Sequence, residues 1–373
     1  MSPRTLIEVA PPVERALLVG APRKGSRDAA QVDEHLDELA RLADTAGAQV
    51  AGRVVQTLAA PAPDFYVGRG KVDEIRGRMA DLSASILLFD EELSPAQGKN
   101  LEEELKVRIM DRTELILDIF ALRARSKEAR MQVELAQLEY MLPRLARMWT
   151  HLSRIRGGIG LRGPGETQLE TDRRMIRHKI GLLKQKLEEV AAHRDRLRGR
   201  TASRGVRRAA LVGYTNAGKS SLLRALTKAD AHVEDRLFAT LDTQSRETMV
   251  DGTRIRLTDT VGFIRKLPHG LVASFRATLE EALDADVLIH VVDAAHHDWE
   301  EQARVVGETL TAAGLSDDRR VVVALNKADR LDAADRASLL ESARERGWRA
   351  VLVSALDGSG LGDLRAALVT DSS

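Results

Sequence analysis

A short glycine-rich segment restricts the fold of this chain more than any other part of its sequence. Residues 213–220 read Gly-Tyr-Thr-Asn-Ala-Gly-Lys-Ser, follow an apolar run at 206–212 and precede a helical pattern at 221–228. This is the G-x-x-x-x-G-K-[ST] pattern in a strand, turn and helix, where backbone N–H groups and the positive end of a helix dipole bind phosphate. We therefore predict a phosphate-binding loop inside an α/β domain. The predicted contact residues are Gly213, Tyr214, Thr215, Asn216, Ala217, Gly218, Lys219, Ser220 and Ser221.

Charged and hydroxyl groups near this loop predict a Mg²⁺-dependent triphosphate site. Lys219 is expected to bind the β- and γ-phosphates, and Ser220 is expected to bind Mg²⁺. A second switch segment follows an apolar strand pattern at 254–258 and consists of Asp259, Thr260, Val261 and Gly262. We expect Asp259 to hold Mg²⁺ through water and the Gly262 N–H to contact the γ-phosphate.

A first switch segment is expected upstream of that strand. It consists of Phe238, Ala239, Thr240, Leu241 and Asp242. Thr240 is our candidate for the second protein ligand of Mg²⁺, and the alternative is a threonine on a surface loop. Both switches are expected to become ordered around the γ-phosphate and to relax after hydrolysis.

The choice of base is predicted by a polar segment after the strand pattern 320–326. It consists of Asn326, Lys327, Ala328 and Asp329. A carboxylate at Asp329 can accept hydrogen bonds from the N1–H and the exocyclic amine of guanine, a donor pair that adenine lacks, so the wrong base leaves polar groups unpaired. Ser354 and Ala355 follow a later strand, where backbone N–H groups can meet the guanine O6. These residues predict GTP and GDP as ligands and disfavour a small-molecule kinase.

The expected catalytic groups are Lys219, Thr240, Gly262 and Asn216. Phe263 stands where many switch GTPases have a glutamine that orients the attacking water. A phenylalanine cannot orient water, so we expect slow intrinsic hydrolysis. Asn216 is a candidate ligand for a K⁺ ion that supplies positive charge at the phosphates, and the alternative is that Asn216 only stabilises the loop backbone.

The segment before the phosphate loop has a different pattern in each of two parts. Over 15–126, strand patterns at 16–20, 49–57, 85–90 and 107–111 alternate with helical patterns at 29–46, 71–82 and 95–105, which indicates βαβ units. We predict an α/β domain at 1–126, a helical arm at 127–200 and a Ras-like phosphate-loop domain at 206–370.

Two apolar seams predict the arm. They comprise Met131, Leu135, Leu138, Leu142 and Leu145, and then Ile176, Ile180, Leu183, Leu187 and Val190. Each set lies on one face of a charged helix, so we expect two long helices that pair as an antiparallel hairpin around a flexible loop at 157–165.

Positive charge is concentrated in this arm. Residues 144–208 contain 18 Lys and Arg against 6 Asp and Glu, although the whole chain has a net charge of only +1. A basic block beside a glycine-rich loop indicates a polyanionic partner, and the alternative is a solvated helical face.

Several classes of protein are disfavoured by composition. Without cysteine the chain has neither disulfides nor thiolate metal sites. The amino-terminal residues have no apolar run of the signal-peptide type, and no stretch approaches the roughly 18 apolar residues of a membrane span. We expect a cytoplasmic monomer.

Five segments together resemble the HflX family of translation GTPases. Gly157–Arg174 reads GGIGLRGPGETQLETDRR, and it precedes GYTNAGKSSL, FATLD, DTVGFIRKLPH and NKAD. Tyr66–Ile75, YVGRGKVDEI, is also similar to the amino-terminal domain of that family. The first switch continues as LDTQSRE, where the family commonly has a proline and a threonine after LD, so its dynamics are expected to differ.

The resemblance implies a GTPase that binds the large ribosomal subunit and dissociates or rescues stalled ribosomes. It also implies that the ribosome stimulates GTP hydrolysis and that the arm contacts rRNA. The residues implied for that contact are Arg154, Arg156, Arg162, Arg173 and Arg174.

A second interpretation is an RNA-remodelling or rRNA-maturation factor with an ATP-dependent activity in the amino-terminal domain. Residues 68–71, Gly-Arg-Gly-Lys, are too short to match a phosphate loop, and a turn before a helix explains them.

Overall fold

The computed structural model describes residues 13–145, 166–202, 206–227, 237–238, 241, 244–267, 282–315 and 319–370. Contacts among these residues group the chain into two units, Met1–Ile119 with Pro143–Gly163 and Phe120–Leu142 with Pro164–Ser373. Each unit contains helices and a largely parallel sheet, so the predicted α/β class is confirmed. The three predicted domain ranges stay predictions.

A parallel sheet of four strands forms the centre of the first unit. The strands are β1 (Arg15–Gly20), β2 (Gln49–Val55), β3 (Ile86–Phe89) and β4 (Arg108–Asp111), in the order β2-β1-β3-β4. All residues of β3 and most of β1 are buried, as expected for parallel strands covered on both faces. β2 ends two residues earlier than the predicted strand.

Helices connect these strands. They are α1 (Arg27–Ala30), α2 (Val32–Ala46), α3 (Arg69–Asp81) and α4 (Pro95–Leu105). α5 (Arg112–Arg123) follows β4, and its last four residues belong to the second unit. One helix was predicted at 29–46, but Gln31 has φ −114° and separates α1 from α2. Residues 68–71 form the start of α3, and the Lys71 ammonium lies 2.6 Å from the Glu74 carboxylate. Gly68 precedes the helix as its N-cap, and the helix begins at Arg69, two residues earlier than predicted.

The second unit contains a sheet of six strands. They are β5 (Arg207–Gly213), β6 (Gln244–Val250), β7 (Thr253–Asp259), β8 (Val287–Asp293), β9 (Val321–Asn326) and β10 (Ala350–Leu352). Their order is β10-β9-β8-β5-β7-β6, and every pair is parallel except β6 with β7. β5, which precedes the predicted phosphate loop, therefore lies between β8 and β7.

β6 was not predicted, because residues 241–247 were assigned to the first switch. Six of its seven residues are at least partly exposed, so β6 lacks the apolar signal of a core strand. Asp251 and Gly252 both have positive φ and connect β6 to β7. An Asp-Gly pair is a typical turn of a β-hairpin, so this pair could have located β6 from the sequence.

Helices around this sheet and in the arm complete the second unit. They are α6 (Lys127–Met141), α7 (Glu166–Ala202), α8 (Lys219–Thr227), α9 (Trp299–Ala312), α10 (Ala333–Glu345) and α11 (Leu361–Val369). None of the described helices is long and apolar enough to cross a bilayer.

The two arm helices α6 and α7 contact each other through part of their predicted seams. Leu135 and Leu183 are buried, and ion pairs join Lys179 to Glu134 at 2.5 Å and Lys184 to Glu139 at 2.8 Å. These contacts lie along the seams that predicted the two-helix arm.

We predict that Gly360, the residue before α11, tolerates no side chain. Its φ is +70°, and a Cβ there would lie 1.9 Å from the Leu352 carbonyl oxygen. Gly360→Ala is expected to lower the free energy of unfolding by about 2–4 kcal/mol, because it combines left-handed backbone with overpacking. Denaturant unfolding of the full chain measures this change.

Gly362→Ala is the matched control, since a Cβ at Gly362 meets nothing within 4 Å and the residue lies inside α11. It should be neutral or slightly stabilising. Equal unfolding free energies for the two variants would contradict the prediction.

Candidate nucleotide site

The predicted phosphate loop connects the carboxyl end of β5 to α8. Two of its glycines are required by close contacts. A Cβ on Gly213 would lie 2.2 Å from the Val291 carbonyl oxygen, and one on Gly218 would lie 2.3 Å from the Asn326 amide nitrogen. Gly218 also has φ +93°, which favours glycine. The loop therefore lies tightly against β8 and β9, at the edge of a parallel sheet where ligands usually bind.

The buried ammonium of Lys219 is held by the loop itself. Its Nζ donates hydrogen bonds to the carbonyl oxygens of Gly213 at 3.1 Å and Tyr214 at 2.9 Å. Burial lowers the pKa of Lys219 from 10.5 to about 8, and the Asp259 carboxylate opposes this shift. The side chain therefore remains mainly cationic at neutral pH and presents positive charge inside the loop, as phosphate binding requires.

Two of the three predicted Mg²⁺ ligands converge. The Ser220 hydroxyl donates a 2.6 Å hydrogen bond to Oδ2 of Asp259, which is fully buried at the end of β7. A hydroxyl and a carboxylate at this separation form an oxygen donor set suited to Mg²⁺. Thr240, the third predicted ligand, lies outside the described residues together with Ala239 and Asp242.

The base-recognition residues are joined to the phosphate loop by the buried side chain of Asn326. Its Nδ2 donates to the Ala217 carbonyl at 2.9 Å, and its Oδ1 accepts from the Ala355 N–H at 3.1 Å. The Ser354 hydroxyl donates to Oδ1 of Asp329 at 2.6 Å and orients that carboxylate. The structure thus brings the three predicted segments 213–221, 326–329 and 354–355 together.

A carboxylate that the sequence analysis did not select completes this edge. Oδ2 of Asp293 lies 2.6 Å from Nζ of Lys327, whose backbone is left-handed with φ +65°. Asp293 ends β8 and is paired in register with Asn326. Its position at the end of an apolar strand was a signal that could have found it.

The predicted second switch packs directly on the phosphate loop. The Phe263 N–H donates to the Gly213 carbonyl at 3.1 Å, and the Thr215 N–H donates to the Phe263 carbonyl at 2.7 Å. A Cβ on Gly262 would lie 2.8 Å from Cα of Thr215, so Gly262 must be a glycine. Thr260 is buried and its hydroxyl donates to the Leu211 carbonyl at 2.7 Å.

Phe263 is only 3% exposed, so its ring is part of the core and not of a water-binding surface. Two residues later, the Arg265 side chain is ion-paired with Asp298. The backbone N–H of Arg265 donates to the Tyr214 hydroxyl at 2.9 Å. The tyrosine hydroxyl therefore ties the second switch to the phosphate loop, a contact that no sequence pattern indicated.

The predicted RNA-contacting residues are described only in part. Arg174 is exposed and Arg173 is half-buried on α7, whereas Arg154, Arg156 and Arg162 lie outside the described residues. Lys184 and Arg177 are also exposed on α7, and they are ion-paired with Glu139 and Glu170.

Known proteins are similar to this chain along most of its length. Three family models match successive parts of the chain: GTP-binding GTPase N-terminal at residues 33–121, GTP-binding GTPase Middle Region at 123–201, and 50S ribosome-binding GTPase at 208–327. The chain is 49% identical over 326 residues to GTPase HflX of Caldanaerobacter subterraneus subsp. tengcongensis, covering 87% of this chain and 75% of that protein. This chain belongs to the HflX family.

Further relatives agree with this assignment. GTPase HflX of Escherichia coli K12 is 45% identical over 336 residues, which cover 90% of this chain and 78% of the relative. The crystal structure of the SsGBP and GDP complex is similar with a TM-score of 0.53 and 27% identity, covering 95% of this chain and 97% of that chain. A GTP-binding protein from Sulfolobus solfataricus, in complex with GDP, has a TM-score of 0.50 at the same identity and coverage.

The HflX resemblance predicted from the sequence is thereby confirmed, and the chain is a GTP-binding GTPase. The roles of its individual site residues stay predictions.

We predict that Asp329→Asn changes the base preference of this HflX-family GTPase. An amide cannot accept both guanine hydrogen bonds, so affinity for GTP should fall by a factor on the order of 100 or more, and affinity for xanthosine triphosphate should rise. Fluorescent-nucleotide titration measures both. Asp335→Asn, an exposed aspartate in the first turn of α10, serves as the control and should bind GTP normally. Unchanged GTP affinity in Asp329→Asn would remove this residue from base recognition.

Proposed function

We propose that this GTPase binds the large ribosomal subunit, dissociates or rescues stalled ribosomes, and hydrolyses GTP in a reaction that the ribosome stimulates. The observation that carries the proposal is the excess of positive charge in residues 144–208, which contain 18 Lys and Arg against 6 Asp and Glu around the glycine-rich loop. Lysine and arginine side chains bind RNA phosphates and release counterions, which supplies affinity without sequence specificity. The description of the family model over 208–327 supports the same partner.

The residues of the site have distinct roles in this proposal. Lys219 and the N–H groups of the phosphate loop neutralise the β- and γ-phosphates, and the Gly262 N–H contacts the γ-phosphate. Ser220, Thr240 and Asp259 hold Mg²⁺, which when bound neutralises charge on the phosphate oxygens. Asp329, oriented by Ser354, selects guanine.

The two switches would couple this chemistry to ribosome binding. A nucleotide shifts binding only if the GTP- and GDP-bound forms differ in affinity for the subunit. Contacts of the second switch with the phosphate loop, through Phe263 and Arg265, supply a route by which the γ-phosphate alters the surface of this unit.

We expect purified large subunits to accelerate GTP hydrolysis by the wild-type chain. Replacing Arg154, Arg156 and Arg162 together by alanine should weaken subunit binding at least about tenfold and reduce the salt dependence, because phosphate contacts are lost. The decrease is expected in the stimulated rate and not in the rate without subunits. Sedimentation and phosphate-release assays measure these quantities.

A charge-matched control replaces the exposed Arg41, Arg69 and Arg344 by alanine. It should leave the stimulated rate unchanged. Equal stimulation of both triple variants would show that the arm is not the contact, and no stimulation of the wild type would refute the proposed partner.

Because Phe263 cannot orient the attacking water, another group must do so. Asn216 is the candidate, acting through a bound K⁺ ion. Asn216 is exposed and has φ +61°, a left-handed conformation that asparagine tolerates. The backbone conformation alone could explain an asparagine there, so the two explanations require an experiment.

We predict faster hydrolysis in potassium than in sodium buffer, by roughly tenfold, because a bound cation stabilises charge that develops on the phosphates. Asn216→Gly keeps the left-handed backbone accessible and removes the side-chain oxygen. This variant should lose the difference between the two salts. A wild-type rate that is equal in both salts, or a variant that retains the difference, would exclude Asn216 as the K⁺ ligand.

A further inference from the structure

One residue of the predicted first switch has an unusual backbone. Phe238 has φ +54°, in the left-handed region that aromatic residues rarely adopt. Such a conformation persists only where surrounding contacts hold it. The side chain of Phe238 is 2% exposed, and the flanking Leu237 and Leu241 are buried as well.

Two contacts hold Phe238, and they come from different parts of the second unit. Its N–H donates to the Thr215 hydroxyl of the phosphate loop at 3.2 Å. Its ring meets Phe120 edge to face, with centroids 4.6 Å apart and planes at 82°. This is the favoured geometry for an aromatic pair, and Phe120, in the last turn of α5, is completely buried.

The position of Phe238 in the chain gives this contact its significance. Thr240, the proposed Mg²⁺ ligand, follows two residues later in the sequence. Phe238 belongs to the same predicted switch segment as Thr240, so contacts that hold Phe238 act on that segment. A shift of about 1 Å in a catalytic group can reduce a rate by as much as 100-fold.

We propose that Phe120 is a positioning residue for GTP hydrolysis, which acts by holding Phe238 and thereby the first switch. Phe120 lies outside the range 206–370 that carries the predicted nucleotide contacts, and α6 of the arm begins seven residues later at Lys127. This inference rests on the proposed Mg²⁺ role of Thr240.

A purely structural role for Phe120 leads to different expectations. A buried phenylalanine in an ordinary core affects the stability of the fold when it is shortened, but not the Mg²⁺ requirement of the reaction. The matched control is Phe89→Leu, because Phe89 is also fully buried and has an edge contact with Tyr66 at 6.5 Å between centroids.

The experiment compares the full-length wild type, Phe120→Leu and Phe89→Leu. It measures kcat, the Mg²⁺ concentration that gives half the maximal rate, the Kd for GDP and thermal stability. Phe120→Leu should lower kcat about tenfold and raise the half-maximal Mg²⁺ concentration several-fold, with a Kd for GDP close to wild type. Phe89→Leu should lower stability while kcat and the Mg²⁺ requirement stay within about twofold. If Phe120→Leu matches Phe89→Leu in both quantities, the proposal is wrong.

A double-mutant cycle tests whether the effect passes through Phe238. If it does, Phe120→Leu with Phe238→Leu should be no slower than the slower single variant, whereas independent effects multiply. Multiplied effects would overturn the proposal. Should Phe120→Leu fail to fold, Phe120→Met, whose unbranched side chain adapts to irregular gaps, supports the same comparison.

The proposed role of Thr240 is tested separately by Thr240→Ala in the same assay. If this change leaves the Mg²⁺ requirement unaltered, the assumed metal ligand is wrong. If Thr240→Ala raises the requirement and Phe120→Leu does not, only the positioning role of Phe120 fails.

Discussion

The buried amide of Asn326 is the contact on which the geometry of the nucleotide site depends most. It donates to the carbonyl of Ala217 in the phosphate loop and accepts from the N–H of Ala355. These segments are far apart in the chain, and each follows a different strand of the second sheet. Because a buried polar group without partners is costly, both hydrogen bonds favour the same arrangement. The phosphate and base contacts are thereby held at one separation, as a nucleoside polyphosphate requires.

Around this fixed part, the switch segments are held by contacts of a different kind. Phe263 lies against the phosphate loop through backbone hydrogen bonds. Gly262 lies so close to the loop that there is no room for a side chain. Phe238 is held by an aromatic ring and a threonine hydroxyl. In the proposed function, these contacts would be exchanged when a γ-phosphate arrives or leaves, whereas the buried network of Asn326 would remain. A rigid base site beside exchangeable switches is the arrangement that a GTPase cycle needs.

Much of this architecture could be predicted from local patterns. The phosphate loop, the segment 326–329 and the strands β1, β3 and β9 were located to within one residue or so, because buried parallel strands are nearly continuous apolar runs. β6 was missed since its exposed side chains carry little apolar signal.

The sequence by itself determined which chemistry this chain can perform. Glycine spacing, Lys219, Ser220 and Asp329 predict phosphate and guanine recognition, since these properties belong to residue types at short range. Only the tertiary structure decided which distant groups support them: Asp293 beside Lys327, Tyr214 against Arg265, and Phe120 against Phe238. Each of those contacts depends on how strands and helices remote in sequence pack together, and no local pattern of residues encodes that packing.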